Sequence, residues 1–253
     1  MQNNFPRELQ RLFEQHIVNN RFPKGAIFSL RELAKRFRVD EDSMYRVLQV
    51  EYRKGLVAKK PDGHFEILEL APPRDSVFSH TKKLGFNPTS EVREVVIVPA
   101  DSTVAERLAL DVGDRVYRFV RTRYVNGEAL ANQTNFIPFE ICPGLENDDV
   151  TNYSFQKLLE KKYLTFVERF DERFSMELAT DEDQKILNLP TGAKILYVDR
   201  ISLSTTGCPL VWSNIRIRPD RYQYVSKLWP SAAKLLETEG YSRLTQPATA
   251  HNE

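Results

Sequence analysis

The sequence predicts an α+β protein with two domains. Three short stretches of helical periodicity and a brief hairpin fill the first seventy residues. Beyond a paired proline the pattern changes to long period-two runs joined by tight turns and interrupted by short helical segments. Because hairpins dominate that second part, its sheet is expected to be mainly antiparallel, with helices packed on it. With 253 residues, 41% hydrophobic and 28% charged, the chain is long enough to bury two cores.

Pro6 suits the first turn of a helix, and Leu9, Leu12, Phe13, His16 and Ile17 follow at helical spacing as one apolar stripe. After the break at Pro23 and Gly25, Ser29 and Glu32 stand as a capping box before Leu30, Leu33, Ala34 and Phe37. Asp40 caps a third helix whose inner face is Met44, Val47 and Leu48, and Gly55 ends it. Leu56 to Ala58, a Pro61-Asp62-Gly63 turn and Phe65 to Leu68 complete a hairpin. Three helices and a two-stranded wing make a winged helix-turn-helix, which sets its third helix in the DNA major groove.

This segment resembles the amino-terminal domain of the GntR family of bacterial transcription regulators. The family's LPSERELA stands here as Ile27 to Ala34, and its VSRxTVRxAL as Val39 to Leu48. The resemblance implies DNA contacts from Ser29, Arg31 and Ser43 and from the wing tip at Gly63 and His64. Arg36, Arg38 and Arg46 are further candidates for the backbone. The chain departs from the family at Glu41 and Tyr45, where the family carries arginine. Asp40, Glu41 and Asp42 favour a helix amino terminus but repel phosphates. Glu41 can instead accept from cytosine N4 and read a base. Net charge gives little help: residues 1–70 hold 13 Lys+Arg against 10 Asp+Glu, so +3, in a chain of +1 whose remainder is therefore −2.

The paired prolines Pro72-Pro73 mark a linker at 71–76, between a domain at 1–70 and a larger one at 77–225, with an extension at 226–253. In the larger part, strands are expected at 91–98, 115–125, 129–136, 166–176, 195–203 and 210–217. The Asn126-Gly127 dipeptide is a strong hairpin signal. Helices are expected at 103–108, at 155–163 and after Thr180, which has Asp183 three residues on. Ala232 to Leu236 is amphipathic, either a packing helix or a frayed tail.

The strand Val116 to Tyr124 carries the chemistry. Arg121 and Arg123 share a face with Tyr117 and Phe119, so two guanidinium groups lean toward a core. That costs several kcal/mol unless an anion meets them. Two readings stand: a pocket for a small anion, or an internal ion pair with Glu168, Glu172 or Asp199.

The larger part resembles the UTRA effector domain of the HutC branch of the GntR family, whose fold is similar to chorismate lyase. The resemblance rests on Phe78-Ser79, Gly85, Pro88-Thr89-Ser90, Arg121-Thr122-Arg123, Asn126-Gly127-Glu128, Phe136-Ile137-Pro138, Leu187 to Gly192 and Asp220 to Tyr224. It implies that Arg121 and Arg123 grip the anionic part of an effector, with Thr89 and Ser90 closing around it. It also implies a pocket lined by Ser154, Phe155 and Glu168. Gln133 stands where amino-sugar-sensing members carry Glu, and Val211, beside Trp212 and Ser213, replaces another acid. Gln133 and Ser213 therefore belong to a less polar pocket, suited to a smaller or more apolar anion.

Other classes find little support. Cys142 and Cys208 are far apart, and the four His show no metal-ligand spacing, so no metal or other cofactor is implied. No Ser/His/Asp set or phosphate-binding glycine loop points to catalysis, and the chain is not expected to be an enzyme of the chorismate-lyase type. No apolar run approaches a membrane span and no leader pattern opens the chain, so a cytoplasmic location is expected. The expected function is a ligand-responsive regulator, acting as a homodimeric repressor on double-stranded operator DNA. The alternative is a sensing or interaction protein whose winged helix no longer reads DNA.

Overall fold

The computed structural model describes residues 5–23, 25–70, 82–150, 155–221, 225, 227 and 230–241. The expected linker at 71–76 and the candidate Ser154 lie outside the described residues.

The first domain is built from α1 (Phe5–Val18), β1 (Ile27–Phe28), α2 (Leu30–Phe37), α3 (Glu41–Lys54), β2 (Val57–Lys59) and β3 (Phe65–Ile67). Both interior helices start where side chains can satisfy their orphan N–H groups. Ser29 and Glu32 form the capping box of α2, and the Asp40 carboxylate accepts from the Ser43 N–H at the start of α3. Glycine 55 ends α3 at φ +81, a left-handed conformation that glycine adopts without a Cβ penalty. Phe13, Leu33, Met44 and Leu48 are fully buried between the helices. Leu12, expected in the buried stripe of α1, is instead 41% exposed, because it sits at the margin of the face defined by Leu9, Phe13 and Ile17. β1 was not evident from periodicity. Two residues suffice to pair it with Phe65 and Glu66, giving a three-stranded sheet of order β1-β3-β2.

Between α1 and α3 lies a charged group inside the core. Lys54 is buried and paired with Glu14, and Glu51 is fully buried with neither carboxylate oxygen hydrogen-bonded. Burial pushes the Glu51 carboxyl up to about 8, with the Lys54 ammonium opposing that rise and Glu14 adding to it.

The second domain holds one antiparallel sheet of order β4-β5-β6-β9-β8-β7. Its strands are β4 (Pro88–Pro99), β5 (Arg115–Val125), β6 (Glu128–Pro138), β7 (Arg169–Leu178), β8 (Lys194–Leu203) and β9 (Pro209–Ile217). Helices among the described residues include α4 (Ser102–Leu108), α5 (Phe155–Tyr163), α6 (Asp181–Leu187) and, in the extension, α7 (Pro230–Thr238). This is the expected α+β architecture. β7 begins at Arg169 rather than 166, because Phe166 and Val167 are drawn off into two different cores. One face of the sheet packs Tyr117, Phe119 and Ile137 against α5 and the Phe139–Ile141 turn. Val116 and Trp212 meet α4 in a separate cluster. α7 is a packing helix, with Ala232 and Leu236 fully buried against Leu196 and Ile217. The Asp220 carboxylate holds Arg218, at the end of the last strand, through two hydrogen bonds of 3.0 and 2.7 Å.

Glu51 gives a pH prediction with a definite sign. Its carboxyl lies above the ordinary value of 4.5 in the folded state, so folded protein keeps a proton that unfolded chain releases, and stability falls as pH rises from about 4.5 to about 8. Glu51→Gln should flatten that slope in melting temperatures measured across this range. An equally steep fall in the variant would exclude Glu51 as its source.

Candidate anion site and nucleic-acid interface

A polar strip crosses the middle of the sheet. The register places Ser90 opposite Arg123, Arg121 opposite Gln133, Asn135 opposite Ser213 and Ser213 opposite Arg200. Cross-strand partners share a face, so these side chains line one surface of five strands. Thr89, by contrast, stands opposite Tyr124 and is exposed, on the other side of β4 from Ser90. Only one of the two hydroxyls expected at the site therefore shares the arginines' face.

Arg121 Nε donates to Gln133 Oε1 at 3.2 Å, and Arg123 Nε donates to the same oxygen at 2.9 Å. The amide is held in that orientation from behind. Gln133 Nε2 donates to Asn135 Oδ1 at 2.7 Å, the Ser213 hydroxyl donates to the same oxygen at 2.8 Å, and Asn135 Nδ2 donates to the Phe119 carbonyl at 3.2 Å. Each link leaves the next group one way to face, so a neutral oxygen is presented to two cations. Among the described residues no carboxylate meets either guanidinium. Of the three acids considered as internal partners, Glu172 binds Arg200 Nε at 2.6 Å and Asp199 takes Trp212 Nε1 at 2.7 Å together with Arg107. Glu168 is half-buried just before β7, with its backbone N–H on the Leu203 carbonyl.

The electrostatic consequence is large. Arg121 is 4% exposed, and burial, then Arg123, then Arg200 push its guanidinium well below the usual range. Burial and Arg200 push Arg123 down to about 10. Arginine does not give up its proton in a folded protein, so these shifts measure the cost of holding three cations together. The rings of Phe119 and Phe155 flank the Arg121 guanidinium at 5.2 and 5.9 Å, leaving a positive, partly aromatic surface. Arg200 and Asn135 were not singled out from sequence. Arg200 was legible, since it shares a period-two face with Val198 and Ser202, but a single arginine in a strand carried no sign of its neighbours.

In the first domain, Arg31, Arg38, Glu41 and Arg46 are exposed, and Tyr45 is 37% exposed with Lys59 Nζ 6.0 Å from its ring centre. Other candidates are already engaged. The Ser29 hydroxyl serves the capping box and the Ser43 hydroxyl donates to Asp40 at 2.7 Å. Arg36 donates to the Arg21 carbonyl at 3.0 Å and lies 4.7 Å over the Phe22 ring. Gly63 forms the exposed wing tip at φ +85, and the His64 N–H donates to Asp62 at 3.0 Å. Hydrogen bonds from Ser29 and Ser43 hold the Glu32 and Asp40 carboxyls below the usual range, Glu32 in the first turn of α2 and Asp40 at the start of α3.

Residues 83–223, more than half of the chain, match the model of the UTRA domain. The chain belongs to the UTRA domain family. NagR of Bacillus subtilis, named an HTH-type transcriptional repressor, is 23% identical over 80% of this UTRA chain and 85% of its own length. YydK of the same species, named an HTH-type transcriptional regulator, is 28% identical over 55% of this chain; that match spans only 59% of YydK. The YydK crystal structure aligns with a TM-score of 0.51 over 84% of this chain and 94% of its own, at 22% identity. The structure of PhnF from Mycobacterium smegmatis gives 0.55 over 84% and 95%, at 17% identity. These structural likenesses support the fold. The relatives named here are regulators, not enzymes. Among the described residues no helix is long and apolar enough to cross a membrane, and no cluster of His, Cys, Asp and Glu is placed to hold a metal.

Gln133 offers a direct check on the unpaired cations. Gln133→Glu would place a carboxylate where both arginines already donate, adding charge-assisted hydrogen bonds worth roughly 1.5–3 kcal/mol against about 1 kcal/mol for the lost neutral bond to Asn135, whose Oδ1 keeps the Ser213 hydroxyl. Thermal stability should rise while inorganic phosphate loses its stabilising effect in the same assay. A variant that melts no higher than the parent would mean that the guanidiniums were satisfied before.

Proposed function

We propose that this chain is a ligand-responsive transcription regulator of the HutC branch of the GntR family, acting in the cytoplasm as a homodimeric repressor of double-stranded operator DNA. In this reading residues 1–70 bind DNA, 71–76 link and 77–225 sense a small anionic effector. The observation that carries it is the pair of buried Arg121 and half-buried Arg123, which share one neutral acceptor at 3.2 and 2.9 Å. Two forked cations facing a common space suit a phosphate or carboxylate. Ser90 is placed to add a hydroxyl from β4, and Phe119 and Phe155 would pack the less polar remainder of the ligand. With Gln133 spent on the arginines and Val211 buried, the site offers few acceptors for sugar hydroxyls, which favours a compact anion.

A dimer places two α3 helices on half-sites about one helical turn apart, and an effector that prefers one spacing shifts the population toward it. Arg31, Arg38 and Arg46 are exposed and in this reading contact phosphates, while Glu41 and Tyr45, exposed in the first half of α3, read base edges. The second reading, a sensor or interaction protein without operator binding, is favoured by the exposed Glu41 and Asp42 at the start of α3.

Electrophoretic shift on the DNA upstream of the chain's own reading frame separates the two. The regulator reading expects a specific complex that phosphate or a carboxylate metabolite weakens. Arg121→Ala with Arg123→Ala should reduce anion affinity by at least about 100-fold, equivalent to about 2.7 kcal/mol, with DNA affinity nearly unchanged. Glu41→Arg should tighten binding several-fold at low salt, where phosphate contacts are strongest, and relax sequence preference. Failure of both parent and Glu41→Arg to shift any duplex at low salt would leave the second reading.

A further inference from the structure

The two domains are joined by more than chain connectivity. At the carboxyl end of α3, Arg53 Nη1 donates to the carbonyls of Leu108 and Pro209 at 2.8 and 3.2 Å, and Nη2 donates to that of Ala109 at 2.9 Å. Leu108 and Ala109 are the last residue and the cap of α4, where unsatisfied carbonyls and the helix dipole favour a cation. The reverse contact comes from the turn between β8 and β9. The Thr206 hydroxyl donates to the Tyr52 carbonyl at 2.7 Å and the Thr205 hydroxyl to the Gly55 carbonyl at 3.1 Å, at the end of α3. The carboxyl end of α3 thus caps α4 and is itself capped by the β8–β9 turn, both in the other domain. Glycine at position 55 is required twice, for its positive φ and because a Cβ would lie 2.3 Å from Thr205 Oγ1. Val50 packs into the core of the second domain, and Leu164 and Phe166 pack onto that of the first.

This seat bears on DNA access. Tyr45, Arg46 and Gln49, on the outward side of α3, face Phe139, Glu140 and Pro143 across a cleft of about 580 Å³. A recognition helix must enter a major groove about 8.5 Å deep, with a sugar-phosphate backbone on each side. The 139–143 turn borders this cleft, so a backbone laid along that side of α3 would have to enter it. The latch also touches the anion site through one hairpin: β8 carries Arg200 and β9 carries Ser213, directly opposite each other, and their connecting turn carries Thr205 and Thr206.

We infer that the contacts of the α3 carboxyl end with α4 and with the β8–β9 turn, made by Arg53, Thr205 and Thr206, form an autoinhibitory latch that holds the winged helix in a seat unable to bind DNA. A latch closed nine-tenths of the time would weaken apparent DNA affinity about tenfold. Anion binding beside Arg200 stiffens the same hairpin and favours the closed seat. The DNA part of this inference rests on the regulator reading above; the latch part does not.

Solution scattering and fluorescence anisotropy with a short duplex of arbitrary sequence at low salt, on the full chain, separate the parts. Arg53→Ala and, independently, Thr206→Val should enlarge the radius of gyration while circular dichroism stays that of the parent, and should tighten duplex binding by about tenfold. Inorganic phosphate should weaken binding by the parent and have little effect on Arg53→Ala. An unchanged radius in both folded variants overturns the latch. A larger radius with the duplex bound no more tightly by the variants than by a binding parent overturns the inhibitory role, and a larger radius with no duplex bound by parent or variants supports the latch while defeating the regulator reading.

Discussion

The constraint on which the second domain turns is two guanidinium groups, that of buried Arg121 and that of half-buried Arg123, sharing one amide oxygen. Arg121 and Arg123 sit two residues apart on one face of a central strand, and pleating gives them no choice but to point together. An arrangement that costs this much persists only where the surrounding structure fixes it. Here the fixing chain is visible: the Phe119 carbonyl orients Asn135, Asn135 and Ser213 orient Gln133, and Gln133 holds both Nε atoms. The two cations are ordered in advance, so that a ligand of the proposed kind would find the entropy of ordering the arginines already spent. The same argument explains why the nearby acids do not quench them. Glu172 is taken by Arg200, and Asp199 by Trp212 and Arg107.

The first domain has a different economy. Its helices are specified locally by caps at Ser29, Asp40 and Gly55, and its core by a handful of aromatic and aliphatic residues. Several polar side chains that resemble DNA contacts by position are used to build the domain itself, notably Ser29, Ser43 and Arg36. The groups left exposed are fewer and of mixed sign. Recognition by such a surface depends on placing a few side chains well rather than on a basic field.

The two domains meet where α3 ends. The helix that would read DNA is tied, at its far end, to the hairpin that carries part of the anion site, so the contact region is one element with two possible neighbours. Coupling between sites needs an element whose equilibrium both can bias, and the contacts at the α3 carboxyl end supply one without a long chain of intermediates.

The sequence alone determined the parts governed by near neighbours. Helix starts at Ser29, Asp40 and Thr180, the turns at Asn126-Gly127, and the shared face of Arg121 and Arg123 follow from spacing and local chemistry, and the order of motifs carried the family resemblance. Boundaries set by packing were less legible: β1 exists only because Phe65 and Glu66 come to pair with it, and β7 starts late because Phe166 and Val167 are buried elsewhere. Tertiary structure alone decided which charges compensate. Arg200 joins the cluster from 77 residues beyond Arg123, Gln133 rather than a carboxylate meets the guanidiniums, Thr89 falls on the opposite face from Ser90, and Arg53 finds its carbonyl partners in the other domain. Local pattern fixes the direction of a side chain, but the identity of the group waiting there is a property of strand order, which adjacent residues do not encode.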